Sequence, residues 1–343
     1  MRTTSERLTV CGIPASPYTR KLLAALRYRH IPYRFISTLA AEQANLPRPK
    51  VRLLPMLYRE GADGSMTVET DTSPILRALE AEVSGRGVIP TDPALALLDM
   101  LFEDYGDEWL TKAMFHFRWT YAEDIDRSKI MLPFWMMPQR PDAETRKAGD
   151  AFGERQIERL RVVGSNPVTG PIIEASYERL LDILAKHLSS HPFLLGRRPG
   201  SADFAMFGQL TQLAAFDPTP MAMTLRRAPR IYAWTGVMED LSGVAANESD
   251  WFQTSSLPDT TFDLLREIGR TYVPVMLANA GAVVAGDDAF SIELQGARWE
   301  QRTFPYQAKC VRWLRAAYDD LDPATRSTFD KIIGGTGCEA LFA

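Results

Sequence analysis

Leu8-Thr9-Val10-Cys11-Gly12-Ile13-Pro14-Ala15-Ser16-Pro17-Tyr18-Thr19 is the stretch from which the rest of the chain can be read. Its first four residues make a short apolar strand that breaks at Gly12 and Pro14. Leu22, Leu23, Ala25 and Leu26 then recur at helical spacing, with Arg20, Lys21, Arg27 and Arg29 on the wetter side. Ser16 stands where a helix cap belongs, and Pro17 where the first helical residue belongs. A strand therefore turns sharply into a capped helix.

Outward from there, residues 31–36 predict a second strand and 39–45 a short helix ended by Pro47 and Pro49. Two short strands, 55–59 and 66–69, flank the turn residues Gly61 and Asp63-Gly64. Asp71 or Thr72 can cap a helix running to about Val83, with Pro74 in its first turn. The order β-α-β-α-β-β-α makes the first two strands parallel and the last two a hairpin. A Gly- and Pro-bearing linker follows at 84–92. The patterning is then helical to about 245, with helices expected at 93–121, 142–163, 171–188, 201–215 and 228–242. The segment 122–141, with Met131-Leu-Pro-Phe-Trp-Met-Met-Pro138, is apolar and proline-interrupted. Beyond 249, a helix at 263–280, a hairpin at 289–294 and 297–301, a helix from Pro305 and a last helix at 323–333 are expected. Three units result: 1–84, 92–248 and an extension at 249–343.

The bulk numbers exclude several classes. With 343 residues, 45% of them hydrophobic, the chain can bury a large core. A net charge of -4, with both signs interspersed, leaves no footprint for nucleic acid. No secretory leader and no membrane span are expected, which points to a cytoplasmic protein with no membrane partner. Cys11, Cys310 and Cys338 are widely spaced and odd in number, which fits free thiols in a reducing compartment. No CxxC is present, so no metal is expected. Asp104, Asp107, Glu108, His116 and Arg118 share one helical stretch, for which a solvated or salt-bridged face outweighs a metal site.

Ser16-Pro17-Tyr18-Thr19 resembles the Cys-Pro-Tyr-Cys of glutaredoxins with both cysteines replaced, and the serine that opens the first helix of zeta-type glutathione transferases. Leu54-Pro55 resembles that family's residue and cis-proline, whose backbone pairs with the cysteinyl part of glutathione. Asp71-Thr72 with Ile75 resembles its Glu-Ser-x-Ala-Ile, which grips the γ-glutamyl end. Phe193-Leu-Leu-Gly196, Pro199 and Ala202-Asp203-Phe204 are similar to the signature of its helical domain, and Ala228–Trp234 to its last common helix. Leu53, Gly200 and Asp71 differ from the usual pattern.

The resemblance spans about 7–245. It implies a thioredoxin-like α/β domain, an all-α domain and an added, mostly helical extension with a β-hairpin. It further implies a cytosolic homodimer taking glutathione as co-substrate and a small hydrophobic electrophile. Ser16 is the implied catalytic residue, donating to the glutathione sulfur. Leu54, Pro55, Asp71 and Thr72 are the implied glutathione-binding residues. Tyr18, His116, Arg118 and Trp119 are candidates for the electrophile pocket. Plain alternatives stand beside each role. Ser16, Asp71 and Thr72 could be helix caps only, Tyr18 could be interface packing and Cys11 a core thiol. The chain as a whole could be a non-catalytic binding or scaffold protein of the same fold; a thiol-redox role ranks last.

Overall fold

The computed structural model describes residues 8–61 and 63–343; the start of the expected 1–84 unit lies outside the described residues. The N-terminal unit runs β1 (Leu8–Cys11), α1 (Pro17–Tyr28), β2 (Tyr33–Ile36), α2 (Thr38–Gln43), β3 (Met56–Glu60), β4 (Met66–Thr70) and α3 (Thr72–Glu82). Its sheet has the order β2-β1-β3-β4. β1 and β2 are parallel, and β3 is antiparallel to both β1 and β4. This is the thioredoxin-like arrangement. The register places Cys11 opposite Met56, and Met56 opposite Thr70. The end of β1 and the segments beside Pro55 and Asp71 therefore meet at one end of the sheet. Strand spacing sets them within about 10 Å of each other.

The helical unit comprises α4 (Pro93–Glu108), α5 (Leu110–Thr120), α6 (Ala122–Met136), α7 (Asp142–Glu158), α8 (Gly170–His187), α9 (Ser201–Leu213), α10 (Pro218–Arg227) and α11 (Pro229–Met238). The extension holds α12 (Asp259–Arg270), α13 (Tyr272–Ala285), the hairpin β5 (Ala289–Leu294) and β6 (Ala297–Arg302), α14 (Pro305–Asp319) and α15 (Pro323–Ile333).

Four expectations need correction. The single helix at 93–121 is two, divided where Lys112 N donates to Trp109 O at 2.9 Å, an i→i+3 bond that tightens the turn. The segment 122–141 is helical to Met136 despite Pro133. Proline supplies no N–H there, which frees the Lys129 carbonyl, and Gly149 of α7 lies so close to it that a side chain would collide. The pattern around 228–242 missed α10, which Pro218 opens. The helix at 263–280 is a pair, α12 and α13, broken at Thr271, whose φ of -122° and ψ of -62° leave the helical range.

Helix α9 is buried along its whole length, and α1 packs directly on it. At their crossing a Cβ on Gly208 would strike the Pro17 carbonyl, so only glycine permits this approach. The start of α9 explains another departure. Asp203 accepts from Gly200 N and Leu194 N, each at 2.9 Å. The cap that Gly200 cannot supply comes from α4: Asp99 accepts from Ala202 N at 3.1 Å and Ser201 Oγ at 2.5 Å. A Cβ at 200 would collide with Asp99 Oδ1, so the carboxylate fills the place of the missing side chain.

The extension shares the helical unit's core. Trp299 is fully buried with its ring 5.7 Å from that of Trp109. Gln307 donates to Glu108 Oε2 at 3.0 Å, and Tyr272 donates to Asp104. Burial pushes the Asp104 carboxyl up to about 7 and that of Glu108 up to about 8, with nearby carboxylates adding to both. Glu103 moves the other way. Burial opposes its ionisation, but Lys21 and Arg77 outweigh that and hold it at about 2.

Two outcomes follow from this packing. Gly200→Ser should destabilise the fold by about 1–3 kcal/mol in urea unfolding, since it overpacks against Asp99. The loss should be smaller in an Asp99→Ala background, because the two sites share one space. Asp104 and Glu108 hold protons in the folded chain that the unfolded chain, titrating near about 4, has released. Their contribution is complete below that value and falls as pH rises towards 8. The urea midpoint should therefore drop between pH 6 and pH 9, and drop less in Glu108→Gln.

Candidate functional site

Ser16 caps α1: its Oγ accepts from Thr19 N at 3.2 Å. Its own N–H is held by Ile13 O at 3.1 Å, which fixes the turn out of β1. A hydroxyl has one proton and two lone pairs, and the cap uses one lone pair. Among the described residues nothing accepts the Ser16 proton, so capping and donation to a ligand are compatible. The first turn of α1 adds unpaired N–H groups and the positive end of the helix dipole.

Pro55 follows a cis peptide bond and is buried. Leu54 before it is half-buried, and its N–H and C=O find no hydrogen-bond partner among the described residues. That leaves one donor and one acceptor at the sheet end, next to the start of α1. Leu53, in contrast, projects into solvent at 46% exposure.

Asp71 has φ 81° and ψ 109°, a conformation that non-glycine residues rarely adopt. It occupies the cap position of α3 but makes no side-chain cap bond. This corrects the expectation that Asp71 serves as a cap. Its Oδ2 instead accepts from the Tyr306 hydroxyl at 2.8 Å, a residue 235 positions away. Thr72 is buried, and its hydroxyl bonds to nothing among the described residues. Next to it, Ser73 and Glu103 hold the buried Lys21 ammonium, with Asp107 at 2.5 Å. This network ties α1 to the start of α3.

The four candidates for an electrophile pocket separate. The Tyr18 hydroxyl donates to Asp107 O at 2.9 Å and lies 2.8 Å from Thr111 Oγ1, so it fastens α1 to α4 and α5. His116 is buried between Ser165 Oγ at 2.8 Å and Glu174 Oε1 at 2.9 Å. Arg118 is buried in a forked pair with Asp217 at 2.8 and 2.9 Å. These three side chains are spent on packing. Trp119 alone turns toward the Ser16 loop, in an apolar cluster with Ile13, Ala15, Leu132 and Leu54. Successive helical positions are rotated by about 100°, so neighbours in sequence cannot share that face.

Two cavities border the region. One of about 360 Å³ lies where the β1–α1 turn meets the helical unit, lined by Pro14, Arg20, Trp135, Gln212, Phe216 and Tyr232. The other, about 310 Å³, lies between α2 and the loop before β3, with Arg48, Arg52 and Leu54 in its wall. Among the described residues no group of three or more His, Cys, Asp or Glu side chains could hold a metal ion. All three cysteines are buried. Burial pushes the Cys11 thiol up to about 11 and that of Cys338 up to about 12, and raises Cys310 further. Such thiols are unreactive. Sequence reasoning missed Ile13, Ala15 and Tyr306. The first two lie inside the opening stretch, but nothing in it says which residues they will touch.

Residues 10–87 match the glutathione S-transferase N-terminal domain, and residues 147–236 match the glutathione S-transferase C-terminal domain. A search of curated proteins finds no match. Solved structures with similar folds include a glutathione S-transferase from Methylobacterium radiotolerans in complex with glutathione sulfonate. It is 20% identical over 72% of this chain and 96% of that one, with a TM-score of 0.40. The beta-etherase LigF from Sphingobium sp. strain SYK-6 is 16% identical over 67% and 94%, with a TM-score of 0.44. A maleylacetoacetate isomerase from Anaeromyxobacter dehalogenans with bound GSH is 18% identical over 71% and 99%, with a TM-score of 0.39. With both of its domains matched in order, the chain belongs to the glutathione S-transferase superfamily.

Proposed function

We propose that the chain is a glutathione-dependent transferase in which Ser16 stabilises the glutathione thiolate. One observation carries the reading. Three unspent groups converge at one end of the sheet: the Ser16 proton, the Leu54 backbone and the Thr72 hydroxyl. A γ-glutamyl-cysteinyl-glycine ligand offers partners for all three. Leu54, beside Pro55, pairs with the cysteinyl main chain, while Asp71 and Thr72 take the γ-glutamyl amino and carboxylate groups. Arg48 and Arg52 lie toward the glycyl end.

Ser16 donates a hydrogen bond to the sulfur and is not itself the nucleophile. A free thiol with a pKa of about 8.5 is only about 3% ionised at pH 7. Lowering that pKa by about two units requires about 2.7 kcal/mol and raises the thiolate fraction about 25-fold. One charge-assisted hydrogen bond together with the dipole of α1 supplies energy of that order. The thiolate then forms a carbon–sulfur bond with the electrophile. The leaving group departs with its electron pair, or, in an addition, the neighbouring atom takes a proton. Conjugation, thiolytic cleavage and isomerisation all begin with this step. The electrophile approaches from the apolar side formed by Ile13, Ala15 and Trp119, which favours a small hydrophobic substrate. A serine at position 16 cannot form the mixed disulfide that a reductase needs. The same reading includes a homodimer in the cytoplasm and the three-part division at 84–92 and 249.

Filling of the apolar side by packed side chains favours a second reading, a binding protein without turnover. Glutathione bound tightly but with an unshifted thiol would favour it.

Two variants separate catalysis from capping. Ser16→Ala removes the cap and costs about 1 kcal/mol of stability, whereas Ser16→Gly costs only a few tenths. Both should lower kcat/KM toward a reactive aryl halide at pH 7 by several-fold and at most about 25-fold, since the hydroxyl is lost while the dipole of α1 remains. If Ser16→Gly keeps full activity, Ser16 is a cap and nothing more.

A further inference from the structure

We propose that Tyr306, from the C-terminal extension, is a positioning residue for the γ-glutamyl end of the glutathione site. This inference rests on the glutathione reading above and adds to it a residue from outside the two matched domains, which end at 236. Its hydroxyl donates to Asp71 Oδ2 at 2.8 Å. Asp71 is the acid expected to meet the ligand's ammonium group. A carboxylate on a residue at φ 81° belongs to a strained turn and needs a partner to fix its direction. No cap bond does this, and among the described residues Tyr306 is the only hydrogen-bond donor to that carboxylate. A carboxylate has two oxygens and about four acceptor sites. Oδ1 therefore remains for the ligand while Oδ2 is held.

The tyrosine is itself firmly held. Asn279 makes two bonds to the residue before α14, donating to Phe304 O at 3.0 Å and accepting from Phe304 N at 2.7 Å. Gln307, the next residue after Tyr306, is fixed to Glu108. The ring lies against Phe304 at 6.1 Å and edge-on to Trp313 at 6.4 Å, with the Lys309 ammonium 5.7 Å from its centroid. The ring is thus held by Phe304, Trp313 and Lys309 of its own extension, and the hydroxyl is aimed before any ligand arrives. Burial and neighbouring acidic groups keep that hydroxyl protonated, so it stays a donor. Pre-organisation of this kind lowers the ordering cost of binding.

The extension therefore acts in glutathione recognition and does more than add bulk to the core. Its effect should fall on affinity and leave the sulfur end, at the start of α1, untouched.

The test compares wild type, Tyr306→Phe, Asp71→Gly and the double variant, titrated with reduced glutathione by calorimetry. Thiolate ionisation of the bound ligand is followed by absorbance near 240 nm. Tyr306→Phe keeps the ring and removes one hydrogen bond to a charged group, which should weaken glutathione about tenfold. The ionisation of bound thiol should not change. In the Asp71→Gly background, which leaves no acceptor at position 71 and suits its positive φ, the same substitution should have less than a twofold effect, because its partner is gone. Unchanged or tighter binding by Tyr306→Phe would overturn the inference, the latter because it would make the tyrosine a competitor of the ligand. So would a thiol ionisation disturbed as much as in Ser16→Gly, or equal effects in both backgrounds. A folded wild type that takes up no glutathione at millimolar concentration would remove the underlying reading, and this inference with it.

Discussion

The close approach of α1 to α9 is the constraint on which the site depends. Gly208 brings the backbone of α9 against the Pro17 carbonyl, with no room for a side chain between them. That contact fixes the first turn of α1, and with it the direction of the Ser16 hydroxyl. Lys21, one turn further on, is clamped between Glu103 and Asp107 of α4 and Ser73 of α3. Helix α1 is thus held from the sheet, from α9 and from α4 together. A loop serine would wander, whereas this one sits on the most heavily packed helix of the N-terminal unit. Donors are effective toward developing charge when they need not reorganise.

Buried charge plays a second part, in joining the extension to the rest of the chain. Helix α4 carries Asp99, Glu103, Asp104, Asp107 and Glu108 within a few turns, all buried or nearly so. Between them they hold four different partners. Asp99 caps α9, Glu103 and Asp107 hold Lys21, Asp104 meets Tyr272, and Glu108 meets Gln307. The helix is a junction between three units and not a solvated face. The same junction places α14 beside α3, which is how Tyr306 reaches Asp71.

Local features were legible in the sequence. Gly12, Pro14 and Pro17 mark the β1–α1 turn; Asp63-Gly64 marks the β3–β4 hairpin; Pro323 opens α15 where expected. Each depends on residues within a few positions. What was not legible depends on rotation and long range. His116, Arg118 and Trp119 are nearly adjacent, and only the packed structure turns His116 to Glu174, Arg118 to Asp217 and Trp119 to the Ser16 loop. Gly200 reads only as a departure from the usual pattern until Asp99, about a hundred residues earlier, is seen in the place of its missing side chain. No spacing rule joins Asp71 to Tyr306.

The central claim is that Ser16 and the start of α1 lower the pKa of a bound thiol. The direct measurement is the pH titration of the wild-type protein saturated with glutathione, read as thiolate absorbance near 240 nm. The account predicts a midpoint near 6.5, about two units below the free thiol. A midpoint at the free value of about 8.5 would contradict it.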